Sequence, residues 1–249
     1  MGGQRLDAAM VARGLSRGRD SAKRAIKAGE VSVNGQVVTR PAADISDTDE
    51  IVSTGAEDRY VSRGALKLRA GLDAFQIDVS GRVCLDVGAS TGGFTQILCE
   101  AGAERVFAVD VGRGQLHPDI KADARVIDIS PVHAAELTHD MISSPIDVLV
   151  CDVSFIGLRK ALGAALKFCS PTAALCVLIK PQFELGPEAI GKGGQVQWPV
   201  DRIRTWIEAE IVPWFEGKGW RPLGLIDSPI TGGDGNHEFL FGAVRDGAA

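Results

Sequence analysis

The chain holds one tyrosine in 249 residues, four histidines and no cysteine pair spaced Cys-x-x-Cys. Each shortage closes a route. The five cysteines, at positions 84, 99, 151, 169 and 176, are an odd number without ligand or redox spacing, so no disulfide framework and no metal site is implied. Cys84, Cys151 and Cys176 sit in apolar runs and are expected as reduced core residues of a cytoplasmic protein. With so few histidines and no triad spacing, nucleophilic hydrolysis has little support. No apolar run reaches the roughly 18 residues that span a bilayer. The opening "MGGQRLDAAM" leads into a charged amphipathic pattern where an export signal needs an apolar stretch. A strong basic balance is missing too: 27 Lys/Arg against 32 Asp/Glu give −5, so charge alone announces no nucleic-acid binder.

What charge there is lies unevenly. Residues 1–40 carry eight Lys/Arg and three Asp/Glu, net +5, and the rest of the chain is net −10. A basic arm on an acidic body can steer toward a polyanion. Within that arm "QRLDAAMVARGL" and "RDSAKRAIKAG" read as short amphipathic helices, the second with Arg19, Lys23 and Lys27 in a ridge at i, i+4 and i+8. "EVSVNGQVVT" reads as a hairpin turning at Asn34-Gly35. The organisation expected is a small α/β domain over residues 1–55, a linker over 56–62 and a large domain over 63–246.

The large domain alternates strand and helix. "RVCLDVG", "RVFAVDVG", "ARVIDIS", "IDVLVCDVS" and "TAALCVLIKPQ" read as strands, with helices between them, including "HAAELTHDM". "DRIRTWIEAEIVPWFEGKG" reads as a helix that Pro213 kinks. The last two strands form a hairpin at one sheet edge. Apolar strands separated by helices predict a mainly parallel sheet covered on both faces, an α/β Rossmann-like architecture.

"LDVGASTGG" follows the first of these strands. Gly88 permits a tight turn and the small residues after it let a ligand approach the backbone. The dinucleotide pattern Gly-x-Gly-x-x-Gly and the phosphate-loop ending Gly-Lys-Ser/Thr are both absent. Asp110 ends the next strand, where a carboxylate can accept both hydrogen bonds of a ribose diol. Asp128, after the third strand, could meet an adenine amino group or act behind it. Together with Asp86, these positions suit a nucleoside cofactor without pyrophosphate, which points to S-adenosyl-L-methionine. The plainer reading is a tight turn in a Rossmann-like protein that binds another ligand.

Asp152 and Lys180 each follow an apolar strand, at the sheet end where open α/β folds bind ligands. A lysine directly after an apolar run either snorkels to water or meets a partner such as Asp152. Glu238 opens the last strand. If Lys67 joins them, two cations and two anions share one site. Such a set suits methyl transfer to a ribose hydroxyl, where an amine takes the departing proton and carboxylates orient the amines.

"VSRGALKL", "CLDVGASTGGFT", "AVDVGRGQL", "DVSFI", "KPQFELG" and "GNHEF" together resemble the TlyA family. These are haemolysin-named, S4-domain ribosomal RNA 2′-O-methyltransferases, similar to the wider RrmJ/FtsJ superfamily. The resemblance implies a Lys-Asp-Lys-Glu tetrad at Lys67, Asp152, Lys180 and Glu238, with Lys180 as the base. It implies cofactor contacts at Gly88, Ala89, Ser90, Thr91 and Gly92, with Asp110 at the ribose. It implies an RNA-binding S4 domain whose Arg5, Arg17, Arg19, Lys23, Arg24 and Lys27 meet phosphates, and Arg63, one helical turn from Lys67 on the same face, is expected as a further phosphate contact at the mouth of the site. The partners implied are ribosomal RNA or ribosomal subunits, the target a cytidine ribose, and no membrane. Three positions depart from the family pattern: Pro131-Val132-His133, His117 and Gln96. Two other readings stay open at this point, a non-catalytic RNA-binding or ribosome-assembly factor and a membrane-active haemolysin.

Overall fold

The computed structural model describes residues 3–16, 18–54 and 60–247, which fall into two compact units, Met1–Arg63 and Gly64–Ala249. Arg17 and residues 56–59 of the expected linker lie outside the described residues.

The first unit runs β1 (Gln4–Arg5), α1 (Leu6–Ala12), α2 (Arg19–Lys27), β2 (Val31–Val33), β3 (Gln36–Val37), β4 (Asp44–Ile45) and β5 (Ile51–Ser53). Its strands form a three-stranded sheet, β3-β2-β5, and a β1–β4 pair. The apolar spacing of the two helices puts Leu6, Ala9 and Met10 against Ala22, Ala25 and Ile26, and Val31, Ile45 and Ile51 close the small core. Asn34 and Gly35 both have positive φ, 51° and 78°, as the tight hairpin between β2 and β3 demands. The Asn34 side chain ties the turn to the segment before β5, donating to Asp49 Oδ1 and accepting from the Glu50 amide, both at 2.9 Å.

Asp7, on α1, has no exposed surface. Arg5 meets it with two hydrogen bonds of 3.0 and 2.9 Å, and Arg19 adds a third cationic contact at 3.2 Å. The Arg5 hydrogen bonds outweigh desolvation and, with Arg19, hold the Asp7 carboxyl down to about 2. A depressed carboxyl contributes stability above its ordinary value and loses it as the pH falls through about 2.

The second unit begins with α3 (Gly64–Phe75) and continues β6 (Val83–Val87), α4 (Gly93–Glu100), β7 (Arg105–Val109), α5 (Pro118–Lys121), β8 (Val126–Ile129), β9 (Ile146–Cys151), α6 (Leu158–Ala165) and β10 (Cys169–Ile179). It ends with α7 (Pro181–Glu184), α8 (Val200–Glu210), α9 (Val212–Glu216), β11 (Arg221–Asp227) and β12 (Phe239–Val244). One seven-stranded sheet has the order β11-β12-β10-β9-β6-β7-β8. Strands β6 to β10 are parallel, and β12 is inserted antiparallel between β10 and β11. This is the Rossmann-like α/β fold expected. The order turns back between β6 and β9, so a crevice opens beyond their carboxyl ends. All five cysteines are buried and unpaired.

Two expectations are corrected. "HAAELTHDM" holds only a 3₁₀ turn at Ala134–Glu136. The His133 ring caps its first turn by accepting from the Ala135 amide, and extended Leu137 ends it. Pro213 does more than kink a helix. It falls in the first turn of α9, where its missing N–H costs nothing, and α8 closes at Glu210.

Asp7→Asn is expected to lower the stability of the first unit by about 1–2 kcal/mol near neutral pH, because both arginines are half-exposed and screened. Faster amide exchange at Met10 and Ile26 is the readout. Unchanged exchange would show that the buried carboxylate contributes nothing.

Candidate active site

The glycine-rich loop leaves β6 through three left-handed residues, Gly88 (φ 87°), Ser90 (φ 48°) and Gly92 (φ 94°). A Cβ at Gly88 would stand 2.6 Å from the Asp152 carbonyl oxygen, so only glycine fits that approach of two strand ends. The amides of Gly88 and Ala89 donate to the Val109 carbonyl at 2.8 and 3.0 Å, stapling the loop to β7. Asp110 then receives the Ser90 amide on Oδ2 at 2.8 Å and the Gly112 amide on Oδ1 at 2.7 Å. Both oxygens keep acceptor capacity.

Beside this carboxylate lies a cavity of about 320 Å³. Gly88, Ser90, Asp110 and Asp152 give it polar edges, and Val111, Val132 and Phe155 give it apolar walls. A small organic ligand is held in a space of this size and mixture. The fixed Asp110 carboxylate suits a ribose diol and the valine walls suit a base, so the residues fit an adenosine-type cofactor.

Two ion pairs stand at the same end of the sheet. Lys180, one residue beyond β10, contacts Asp152 Oδ1 at 2.6 Å and donates to Ser154 Oγ at 2.9 Å. Lys67, on α3, donates to Glu238 Oε2 at 2.5 Å, and both side chains are buried. Ile179 pairs with Phe239 in the sheet, so Lys180 and Glu238 are the next residues at the ends of neighbouring strands. The four residues of the expected tetrad therefore come together as two pairs.

Other expected residues fare differently. Asp86 lies under the loop, fully buried and not lining the cavity. Its Oδ2 accepts from Thr95 Oγ1 at 2.6 Å, and Oδ1 has no hydrogen-bond partner among the described residues. Burial pushes its carboxyl up to about 7, the Thr95 hydroxyl opposes the rise, and the nearby Asp152 and Asp110 charges add to it. Asp128 turns to Lys121 at 2.9 Å and Ser130 at 2.5 Å and does not line the cavity. Ala89, Thr91 and Gly92 also lie off its surface, and Gly92 packs on Leu116 and Ile120. In the first unit Arg5 and Arg19 are tied to Asp7, Lys23 pairs with Asp20 at 2.9 Å, and Arg24 and Lys27 are exposed. Arg63 is half-buried at the end of that unit.

Phe155 escaped sequence reasoning. It is 91% exposed, its φ is 65°, and its ring lies 5.2 Å from that of Phe183 at the cavity wall. A bulky residue in that conformation, with its ring in water, marks a site of function more than one of packing. Nothing in "DVSFI" distinguishes it from a strand-end apolar residue. His133 also lines the cavity, which brings one departure from the family pattern to the site.

Residues 60–245 match the FtsJ-like methyltransferase family and residues 4–51 the S4 domain. The 16S/23S rRNA (cytidine-2′-O)-methyltransferase TlyA of Mycobacterium tuberculosis is 42% identical over 238 residues, 95% of this chain and 88% of that protein. The chain belongs to the TlyA family. Hemolysin A of Brachyspira hyodysenteriae is 38% identical over 95% of this chain and 98% of its own length. A solved structure named as a hemolysin, from Streptococcus thermophilus, shares 36% identity with a TM-score of 0.74 and covers 98% of this chain and 89% of its own. The larger unit of this TlyA-family chain is thus an FtsJ-like methyltransferase domain, and the smaller carries an S4 domain.

The raised Asp86 carboxyl makes a signed prediction. A folded-state value of about 7 against an ordinary 3.8 means its stability contribution is greatest below about 4 and is lost as the pH rises through 7. Asp86→Asn should flatten that loss, by about 4 kcal/mol at most between pH 4 and 8. Urea unfolding of the ligand-free protein at both pH values tests this, and parallel curves for the two proteins would refute it.

Proposed function

We propose that this TlyA-family chain transfers the methyl group of S-adenosylmethionine to the ribose 2′-oxygen of a cytidine in ribosomal RNA, with Lys180 accepting the proton. The observation that carries the proposal is the Lys180–Asp152 pair standing beside a cavity edged by Asp152 and Asp110. The sulfonium cofactor, when bound, supplies an electrophilic methyl. Asp110 would hold its ribose hydroxyls, and Val111 and Val132 would flank its base. With Lys180 as the neutral amine, its own proton first released to solvent, the 2′-hydroxyl proton would pass to that amine as the oxygen–carbon bond forms and the carbon–sulfur bond breaks to leave the thioether. Asp152 and Ser154 then hold the resulting ammonium in place. Lys67, locked to Glu238, would border the acceptor oxygen and limit its freedom.

The S4 domain supports an RNA partner. Its Arg5 and Arg19 are held at fixed angles by Asp7, which leaves guanidinium donors for phosphate oxygens. Phe155 offers an exposed ring on which an unstacked base can rest beside the cavity. The paired lysines and carboxylates favour an enzyme over a non-catalytic RNA-binding factor. Among the described residues no helix is long and apolar enough to cross a membrane.

The test is transfer of labelled methyl to purified ribosomal subunits, with the modified nucleoside identified after nuclease digestion. Label on a cytidine ribose is expected, and label on a base would overturn the assignment. Lys180→Ala should lower the rate by about 100-fold or more while calorimetry finds cofactor affinity intact. Full activity in that variant would remove Lys180 as base. Phe155→Ala should raise KM for the subunit about tenfold, the value of one base–aromatic stack, and an unchanged KM would exclude stacking there.

A further inference from the structure

Between α7 and α8 the chain makes a tight excursion. Ile190 and Val196 form an isolated antiparallel bridge, the Gln197 amide donates to the Ala189 carbonyl at 2.8 Å, and the Gly191 amide donates to the Gln195 carbonyl at 2.8 Å. The tip is Gly191-Lys192-Gly193-Gly194, with Gly193 and Gly194 left-handed at φ 87° and 80°. Lys192 is exposed and makes no ion pair with any described residue.

The turn is pinned from one side by Asn236, a polar residue only 5% exposed. Its Oδ1 accepts from the Val196 amide at 2.9 Å and its Nδ2 donates to the Gly194 carbonyl at 3.1 Å. Those two backbone groups dictate the orientation of the side-chain amide. The Asn236 carbonyl in turn accepts from the Gly232 amide at 2.9 Å. Glu238 follows two residues later, and a Cβ at Gly232 would stand 2.6 Å from its Oε1. One short segment thus carries the carboxylate that holds Lys67 and the amide that holds the 191–195 turn. A buried amide spent on a surface turn needs a reason, since loops positioned this firmly from a rigid sheet end are where binding residues sit.

We propose that Asn236 is a positioning residue, fixing the Gly191–Gln195 turn beside Glu238 so that Lys192 meets a phosphate of the RNA substrate. The proposal rests on the RNA methylation reading above. Asn236 does not line the cavity, and its side-chain hydrogen bonds go to the Val196 amide and the Gly194 carbonyl, so its loss acts through the turn.

The experiment is methyl transfer to purified ribosomal subunits across a salt series, for the native chain, Asn236→Ala and Lys192→Ala. Both variants should raise KM about tenfold and lower the slope of log KM against log salt by about one, the signature of one lost phosphate contact. Cofactor affinity by calorimetry should stay at the native value, which a general loss of fold would not allow. Native KM and native salt slope in both variants would overturn the proposal while leaving native methyl transfer standing. Where Asn236→Ala does not fold, Lys192→Ala decides alone, because its exposed side chain supports no packing. A native protein that transfers no methyl to RNA would instead bring down the underlying activity, and this role with it.

Discussion

Lys67 and Glu238 lie 171 positions apart and meet inside the protein. Neither charge could be buried without the other, because desolvating an unpaired ammonium or carboxylate costs several kcal/mol. The pair therefore fixes where α3 lies against the sheet. The packing agrees with that demand. A side chain at Gly71 would run into Cys176 of β10, and one at Gly242 into the ring of Phe75. Glycines on both the helix and β12 let α3 approach closely enough for the lysine to reach its carboxylate. The site thus inherits its geometry from a helix-on-sheet contact set by two missing side chains.

Much of this was legible in the residues, for physical reasons. Strands buried on both faces must be continuously apolar, so β6, β7, β9 and β10 announced themselves, and the polar residues terminating them marked the ligand end of the sheet. The Asn34-Gly35 turn carried its own signature. What escaped depends on contacts that spacing does not encode. Asp128 occupies the right place on β8 but is taken up by Lys121, a residue of a four-residue helix with no periodicity to read. Asp86 stands where a carboxylate could serve a cofactor, yet the strand buries it beneath its own loop. Phe155 looks like core in the chain and stands in water in the fold. Asn236 was visible only as part of "GNHEF", since a buried amide shows its partners only after folding.

The carboxylates around the glycine-rich loop are handled in three distinct ways. Asp110 is satisfied by two backbone amides, Asp152 is ion-paired with Lys180, and Asp86 has one hydroxyl and a raised affinity for its proton. Three acids in one neighbourhood repel one another, and that repulsion is part of what lifts Asp86. A sulfonium cofactor brings positive charge to such a place. Positive charge there would offset part of that repulsion, so the cluster favours a cationic ligand over a polyphosphate.

The same logic resolves the acidic balance of a chain read as an RNA enzyme. The net negative charge is concentrated outside residues 1–40, in the part that holds these carboxylates, while residues 1–40 are net positive. A uniformly basic protein would draw polyanions over its whole surface, including over a pocket meant for a cation. On the proposed function, separating the charges would let arginines held by Asp7 address phosphates without lining the methyl-donor site with the wrong sign. The cation that must stand among the acids, Lys180, is held by one of them and so offers no open anchor for a phosphate.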